Sequence, residues 1–269
     1  MIYQTITSTT SHKEYLKDLW KHRFLLSSFM MRDIRVKYKQ AVLGIMWAII
    51  KPLLTVMAFV MVFRGTAVDP GQHYHLFVIG PVLIWLLFSS SFTDSSNTLL
   101  VHSHMITKIY FPRMLLPINC VLVNWIDYQL IAATTMFLVI LMGLPHDCLS
   151  FILLSLLTAV LSAACALWSS AITVRHRDFK FIAPYLIQLG LFISPIGYSS
   201  SNIPTEYILL YSINPLVGIM EGARYCLRGG SYFQHLTEAL CLSVCVTTFL
   251  LVTGYLYFKN MEYTMDEVI

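Results

Sequence analysis

Long apolar runs decide what this chain can fold into. They lie at residues 41–63, 76–93, 115–144, 149–174, 181–198 and 236–258. About 20 apolar residues wound as a helix rise about 30 Å, the thickness of a bilayer's hydrocarbon. Each run is long enough, or nearly so, to cross. Little chain is left over for a soluble core. Composition agrees: 57% of the 269 residues are hydrophobic and only 12% are charged, against about 45–50% and about 25% in soluble domains. Both a soluble globule and a disordered chain are excluded. The expected fold is an all-α integral membrane protein with six transmembrane helices. Residues 199–235 interrupt the pattern. Their apolar piece, Tyr207 to Met220, is short and broken by Asn214-Pro215, which suits a re-entrant segment better than a span.

The scarce basic residues orient the runs. Residues 1–40 hold eight Lys/Arg, 94–114 two, 175–180 three and 259–269 one, which makes fourteen of the 18 on one side. Arg64, Arg224 and Arg228 lie in the alternate connections, and Lys51 sits within the first run. The positive-inside rule then places both termini in the cytoplasm, and an even number of spans follows. Three parts are expected: a cytoplasmic N-terminus over 1–40, a six-span domain over 41–258 and a cytoplasmic tail over 259–269. Within the first part, Lys13, Lys17 and Lys21 recur every four residues. Leu16, Leu19, Trp20, Leu26 and Met30 follow helical spacing on another face. That pattern predicts an amphipathic helix lying in the headgroup layer of membrane lipid. No cleavable leader is expected, because the first 40 residues lack a long uncharged apolar run.

Several chemistries are missing from the sequence. There is no G-x-x-x-x-G-K-[ST] loop to cradle ATP phosphates, and neither H-E-x-x-H nor G-x-S-x-G occurs. The six cysteines form no C-x-x-C pair, and the pairs His73/His75 and His102/His104 lack further ligands. No metal site, no cofactor on this chain and no nucleic-acid partner are expected. Two charges fall inside runs: Lys51, just before Pro52, and Asp127, between Trp125 and Tyr128. Facing lipid at mid-membrane, each would cost about 2.5–3.5 kcal/mol. Two readings remain: they pair or face a watery lumen, or they snorkel to an interface.

Particular motifs resemble a family. Arg32-Asp33-Ile34-Arg35-Val36-Lys37-Tyr38-Lys39-Gln40, then Leu43-Gly44, Trp47 and Pro52-Leu53, is similar to the entry into the first span of type-2 ABC exporter permeases. The branch is the one that exports lipid-linked polysaccharides: O-antigen of lipopolysaccharide, teichoic acid and capsule. Lys108-Ile109-Tyr110-Phe111-Pro112-Arg113 resembles that branch's first cytoplasmic element, and Val174-Arg175-His176-Arg177-Asp178 its second. Ser194-Pro195, Gly197-Tyr198, Ile203-Pro204, Asn214-Pro215-Leu216 and Glu221-Gly222-Ala223-Arg224 resemble its extracytoplasmic re-entrant region.

The resemblance implies a non-catalytic permease working as a homodimer in the bacterial inner membrane. ATP and Mg would be bound by a separate P-loop ATPase subunit. It implies that Lys108, Tyr110, Phe111, Pro112, Arg113, Arg175, Arg177 and Asp178 couple to that ATPase. A sugar polymer needs aromatic rings to stack on and polar groups for its hydroxyls. Candidates for lining its route are Trp47, Phe59, Phe63, Trp85, Phe88, Tyr185, Gln188, Phe192 and Tyr198. Asn214, Pro215, Glu221 and Arg224 are candidates for an outer gate, with Glu221 and Arg224 spaced to pair on a helix. A stand-alone channel or secondary transporter is the alternative, though such proteins usually carry inverted repeats and several intramembrane charges.

Overall fold

The computed structural model describes residues 11–39, 44–63, 74–108, 110–228 and 233–262. Among them no strand occurs. Helices α1 (His12–Lys21) and α2 (Arg23–Lys39) precede α3 (Trp47–Phe63) and α4 (Tyr74–Val101). A single turn, α5 (Ser103–Ile106), leads to α6 (Leu115–Leu141) and α7 (Cys148–Arg175). Then come α8 (Phe179–Ile193), α9 (Ile208–Tyr211), α10 (Pro215–Arg228) and α11 (Leu236–Glu262). The expected amphipathic segment is therefore two helices that meet at His22. Gln40 to Leu43, Ile109 and the acidic tail beyond Glu262 lie outside the described residues, as does His73.

Among the described residues, four helices are long and apolar enough to cross a membrane: α4, α6, α7 and α11. The other two apolar helices are shorter. With 17 residues in α3 and 15 in α8, they rise about 25 and 22 Å. The fifth run was expected to continue to residue 198, and helix stops at Ile193. Proline disfavours helical backbone at the residue before it. Ser194, before Pro195, has extended backbone with ψ 144°. Conversely, α4 runs past the expected end at 93 to Val101, because its polar face of Ser91, Ser95, Ser96 and Thr98 is buried. The Ser95 and Ser96 hydroxyls donate to carbonyls three residues back.

Local signals set the other ends. The 27-residue α6 stops where Gly143 adopts φ +66°. The Gly143 N–H donates to the Ile140 carbonyl and the Leu144 N–H to the Val139 carbonyl, the paired bonds of a Schellman ending. Pro145 follows, and the Asp147 carboxylate then caps α7 by accepting the Ser150 N–H at 3.1 Å. At α10, Asn214 Oδ1 accepts the Leu216 N–H at 3.1 Å, with Pro215 in the first helical position. That position needs no donor.

The interior is built around α7, which packs on α4 and α11, while α10 lies against α4, α7 and α11. Close approach of α10 to α11 requires Gly218. A β-carbon there would sit 2.5 Å from the Ala239 carbonyl oxygen and from Ser243 Oγ. Small residues at helix contacts are how membrane helices gain packing without a hydrophobic drive. Two large apolar clusters result. One joins α4, α6, α7 and α10 through Leu83, Trp85, Tyr128, Phe151 and Met220. The other gathers Leu99, Phe111, Leu116, Val174 and Phe258 at the opposite end of α4.

Candidate functional site

The end of the bundle rich in Lys and Arg holds both expected coupling elements. Phe111 and Val174 share one apolar cluster, so the turn after α5 and the turn after α7 lie side by side. The residues divide by exposure. Lys108, Arg175, Arg177 and Asp178 are exposed, and Tyr110 is 57% exposed. Phe111, Pro112 and Arg113 are buried. Arg113, expected among the coupling residues, has its side chain turned into the bundle. It is 8% exposed and donates to the Glu262 carbonyl at 3.1 Å, while its backbone N–H donates to Glu262 Oε1 at 2.7 Å. Tyr110 faces out, and the three residues after it, Phe111, Pro112 and Arg113, face in. Phe29 of α2 meets Phe111 edge-on at 5.6 Å.

Glu262 Oε2 also accepts the Tyr15 hydroxyl of α1. Burial, and then the Glu262 carboxylate, push the Tyr15 phenol far above its ordinary range, so it stays a donor. Tyr15 and Glu262 form a contact that sequence reasoning passed over. Their 247-residue separation hides the contact from any local pattern.

Higher on the same side, α2 is bonded to α6. Asn119 Nδ2 donates to Asp33 Oδ2 at 2.6 Å. Lys37 Nζ donates to Asn124 Oδ1 at 3.3 Å and to Asp127 Oδ2 at 2.5 Å. The Tyr38 hydroxyl donates to Asp127 Oδ1 at 2.6 Å, and burial followed by that carboxylate raises the Tyr38 phenol. Asn124 Nδ2 reaches Asp94 Oδ2 of α4 at 2.8 Å. Asp94 marks where α4 changes from apolar to polar, so the network sits at one edge of the apolar slab. Asp127 therefore pairs with Lys37, not with Lys51. The signal available in sequence was Asn124 and Asp127 three residues apart, which puts two polar groups on one helix face.

Lys51 and Asp127 do share a cavity. It has a volume of about 300 Å³ and is lined by Lys37, Tyr38, Trp47, Lys51, Ser90 and Asn124 among others. Lys51 lies one turn into α3, within snorkelling distance of an interface.

The opposite end is organised by one buried arginine. Arg224 is 4% exposed. Its Nη1 donates to Glu221 Oε1 at 2.5 Å. Nη2 reaches the carbonyls of Pro195, Ile196 and Tyr198 at 2.5, 3.1 and 3.0 Å. Nε donates to the Phe77 carbonyl at 3.1 Å, and the guanidinium lies 3.9 Å from the centre of the Phe77 ring. Glu221 Oε1 also accepts the Ser200 N–H at 3.0 Å. The pair that the spacing allowed thus forms, and it is buried. It grips the irregular backbone after α8, whose carbonyls and N–H groups have no helical partner. Asn214 joins in through Ser194 Oγ at 3.3 Å, and the Tyr74 hydroxyl donates to the Gly197 carbonyl at 2.9 Å.

The candidate lining residues divide in the same way. Trp85 is buried between α4 and α8, with its ring 3.0 Å from where a β-carbon on Gly190 would stand. It is a core residue of this chain, which corrects its assignment to the lining. Phe59 and Phe88 are part-buried, and Phe88 lies 6.1 Å from both the Trp85 and Phe92 rings. Trp47, Tyr185 and Gln188 are exposed, and Phe192 is 73% exposed. The Tyr198 hydroxyl lies 2.9 Å from the Ile193 carbonyl and from the Tyr211 hydroxyl. Phe63 ends α3, and its side chain lies outside the described residues. Among the described residues no cluster of metal-ligating side chains occurs. His102 instead contacts Arg32 at 3.2 Å and the Thr98 carbonyl at 2.9 Å.

The chain is similar in sequence to known proteins. The chain is 23% identical over 249 residues to an O-antigen export system permease protein RfbA of Klebsiella pneumoniae, covering 91% of this chain and 95% of that one. It is 25% identical over 213 residues to an RfbA permease of Myxococcus xanthus, covering 76% and 80%. It is 23% identical over 256 residues to the polysialic acid transport protein KpsM of Escherichia coli, covering 89% and 94%. Residues 25–227, from α2 through α10, match the family described as ABC-2 type transporter, and the chain belongs to that family.

Proposed function

We propose that this chain is the permease subunit of an exporter that moves a lipid-linked polysaccharide of the O-antigen type across the bacterial inner membrane. ATP hydrolysis on a separate P-loop ATPase subunit drives it. One observation carries the reading. The similarity to export permeases extends over nine-tenths of both chains, so it covers the bundle and both of its ends.

Six crossings follow if α3 and α8 span with help from the segments beside them. Both termini and the basic end then face the cytoplasm, as the lysine and arginine distribution requires. Lys108 and Tyr110, with Arg175, Arg177 and Asp178, form the surface that meets the ATPase. Phe111, Pro112 and Arg113 carry the push inward. Residues 199–235 form the re-entrant outer region, supported by the rule that irregular backbone at membrane depth survives only against protein or a water-filled cavity. The apolar faces that α3 and α8 leave exposed, including Leu53, Met57, Tyr185 and Phe192, would meet a second copy of this chain. Trp47, Tyr185, Gln188 and Phe192 would line the polymer's route between the two copies.

Co-purification from the native membrane tests the reading. An ATPase subunit should accompany the chain, and its consistent absence would sink the proposal. Cysteine labelling tests the orientation. A cysteine at position 104 should be reachable from the cytoplasm and one at 202 from outside. The reverse pattern would overturn the topology.

A further inference from the structure

The last turn of α11 holds the proposed docking turn from behind. α6 begins without a local cap: Met114 at its N-cap makes no side-chain bond to the helix. The first N–H groups of a helix have no intrahelical acceptor and carry partial positive charge. The Leu115 and Leu116 N–H groups turn back to the Pro112 and Arg113 carbonyls, and a carboxylate from the far end of the chain holds the turn that supplies those carbonyls. Glu262 Oε1 accepts the Arg113 N–H, and the Glu262 carbonyl accepts the Arg113 guanidinium. Oε2 meanwhile accepts the Tyr15 hydroxyl of α1. Lys259, one turn back and buried, lies 3.3 Å from His12 Nδ1 and 5.7 Å from the Tyr15 ring. Phe258 packs in the same apolar cluster as Phe111. One carboxylate therefore joins three elements that sequence sets far apart.

We infer that Glu262 is a positioning residue for energy coupling: it ties the Phe111–Arg113 turn to α1 and α11 so that a push on Tyr110 displaces all three together. This rests on the reading of Lys108 and Tyr110 as an ATPase contact. Bonds to a charged group are the stronger ones, and both oxygens are engaged. With Glu262 removed, apolar packing at Phe111 still holds the turn in place. The directed link to the membrane-surface helix is lost, and the turn moves under load without carrying α1.

The test uses the chain assembled with its ATPase subunit in proteoliposomes, with ATP hydrolysis and polymer export measured together. Glu262→Ala should leave ATP turnover within about twofold of the parent and lower polymer exported per ATP about tenfold, the scale of one lost charge-assisted bond. Glu262→Gln should restore most of that ratio, since the amide accepts the Arg113 N–H and donates to the Tyr15 oxygen. If hydrolysis and export fall in equal proportion, or if neither changes, the inference is overturned. Tyr110→Ala, run alongside, separates the two readings. Unchanged ATPase binding and turnover in Tyr110→Ala would refute the docking surface itself. Weakened binding there, with an unchanged export ratio in Glu262→Ala, would refute only the positioning role.

Discussion

The two ends of the bundle solve the same problem with opposite charges. Each has an irregular stretch of backbone to hold in place. At the basic end a carboxylate, Glu262, accepts a backbone N–H from Arg113. At the other end a guanidinium, Arg224, donates to backbone carbonyls of Pro195, Ile196 and Tyr198. The chemistry fits the backbone group left over. The turn before α6 offers an N–H, which wants an anion, and the chain leaving α8 exposes carbonyls, which want a cation. The environments differ as well. Arg224 and Glu221 are almost wholly buried, whereas the basic end keeps Tyr110 and Arg175 at the surface. One end is sealed around its charge, and the other presents a surface that a partner can push.

Breaking the sealed end should have the largest effect. Arg224→Ala leaves the Glu221 carboxylate buried without its cation, at a cost of about 3–5 kcal/mol. Thermal unfolding in detergent should show a large loss, and Arg224→Lys should recover only part, because an ammonium lacks the planar fork. An Arg224→Ala variant as stable as the parent would end the comparison. Gly218→Ala comes next. Its β-carbon meets the Ala239 carbonyl at 2.5 Å, so α10 must shift from α11, at about 1–3 kcal/mol in the same measurement.

At the basic end Tyr15→Phe removes a single hydroxyl from Glu262. The expected loss is about 1 kcal/mol, and a loss as large as that of Arg224→Ala would erase the distinction between the ends. The smallest effect is at Asp147, on the rim of the sealed end, where its N–H also donates to the Cys226 carbonyl. The bonds from Ser150 hold its carboxyl below the ordinary value of 3.8. A lowered folded pKa contributes stability that is present above the unfolded value and is lost as pH falls through the folded one. Asp147→Asn keeps an acceptor for Ser150 and does not titrate. Acid titrations of the two proteins should therefore converge as pH drops below 4. Parallel curves would remove Asp147 from the account.

Much of the bundle could be read from hydropathy, because apolar runs of span length leave few alternatives. α4, α6, α7 and α11 follow the runs closely. The errors share a cause: backbone rules at run edges. Pro195 ends α8 before its apolar residues end, and buried serines carry α4 beyond its apolar stretch. The candidate residues were legible as a set and less so as roles. Tyr110 and Arg113 sit three residues apart in one motif, yet one faces out and the other in, since Phe111 packs into the apolar cluster between them. Trp85 reads as lining by residue type and proves to be core, because α8 crosses it at Gly190. The bonds of Lys37, Tyr38 and Glu262 were not legible for a different reason. Their partners lie 87 to 247 residues away, and only tertiary structure brings them together.

The placement of Arg224 also bears on how the chain is made. The carbonyl of Phe77 emerges from the ribosome 147 residues before the guanidinium that will bind it, and that of Pro195 emerges 29 residues before. Glu262 arrives 149 residues after the Arg113 N–H it accepts. Both ends therefore wait, with open backbone groups, for residues synthesised late. A chain stopped short of Arg224 would lack the donor its sealed end requires, and one stopped short of Glu262 would lack the closure of the other.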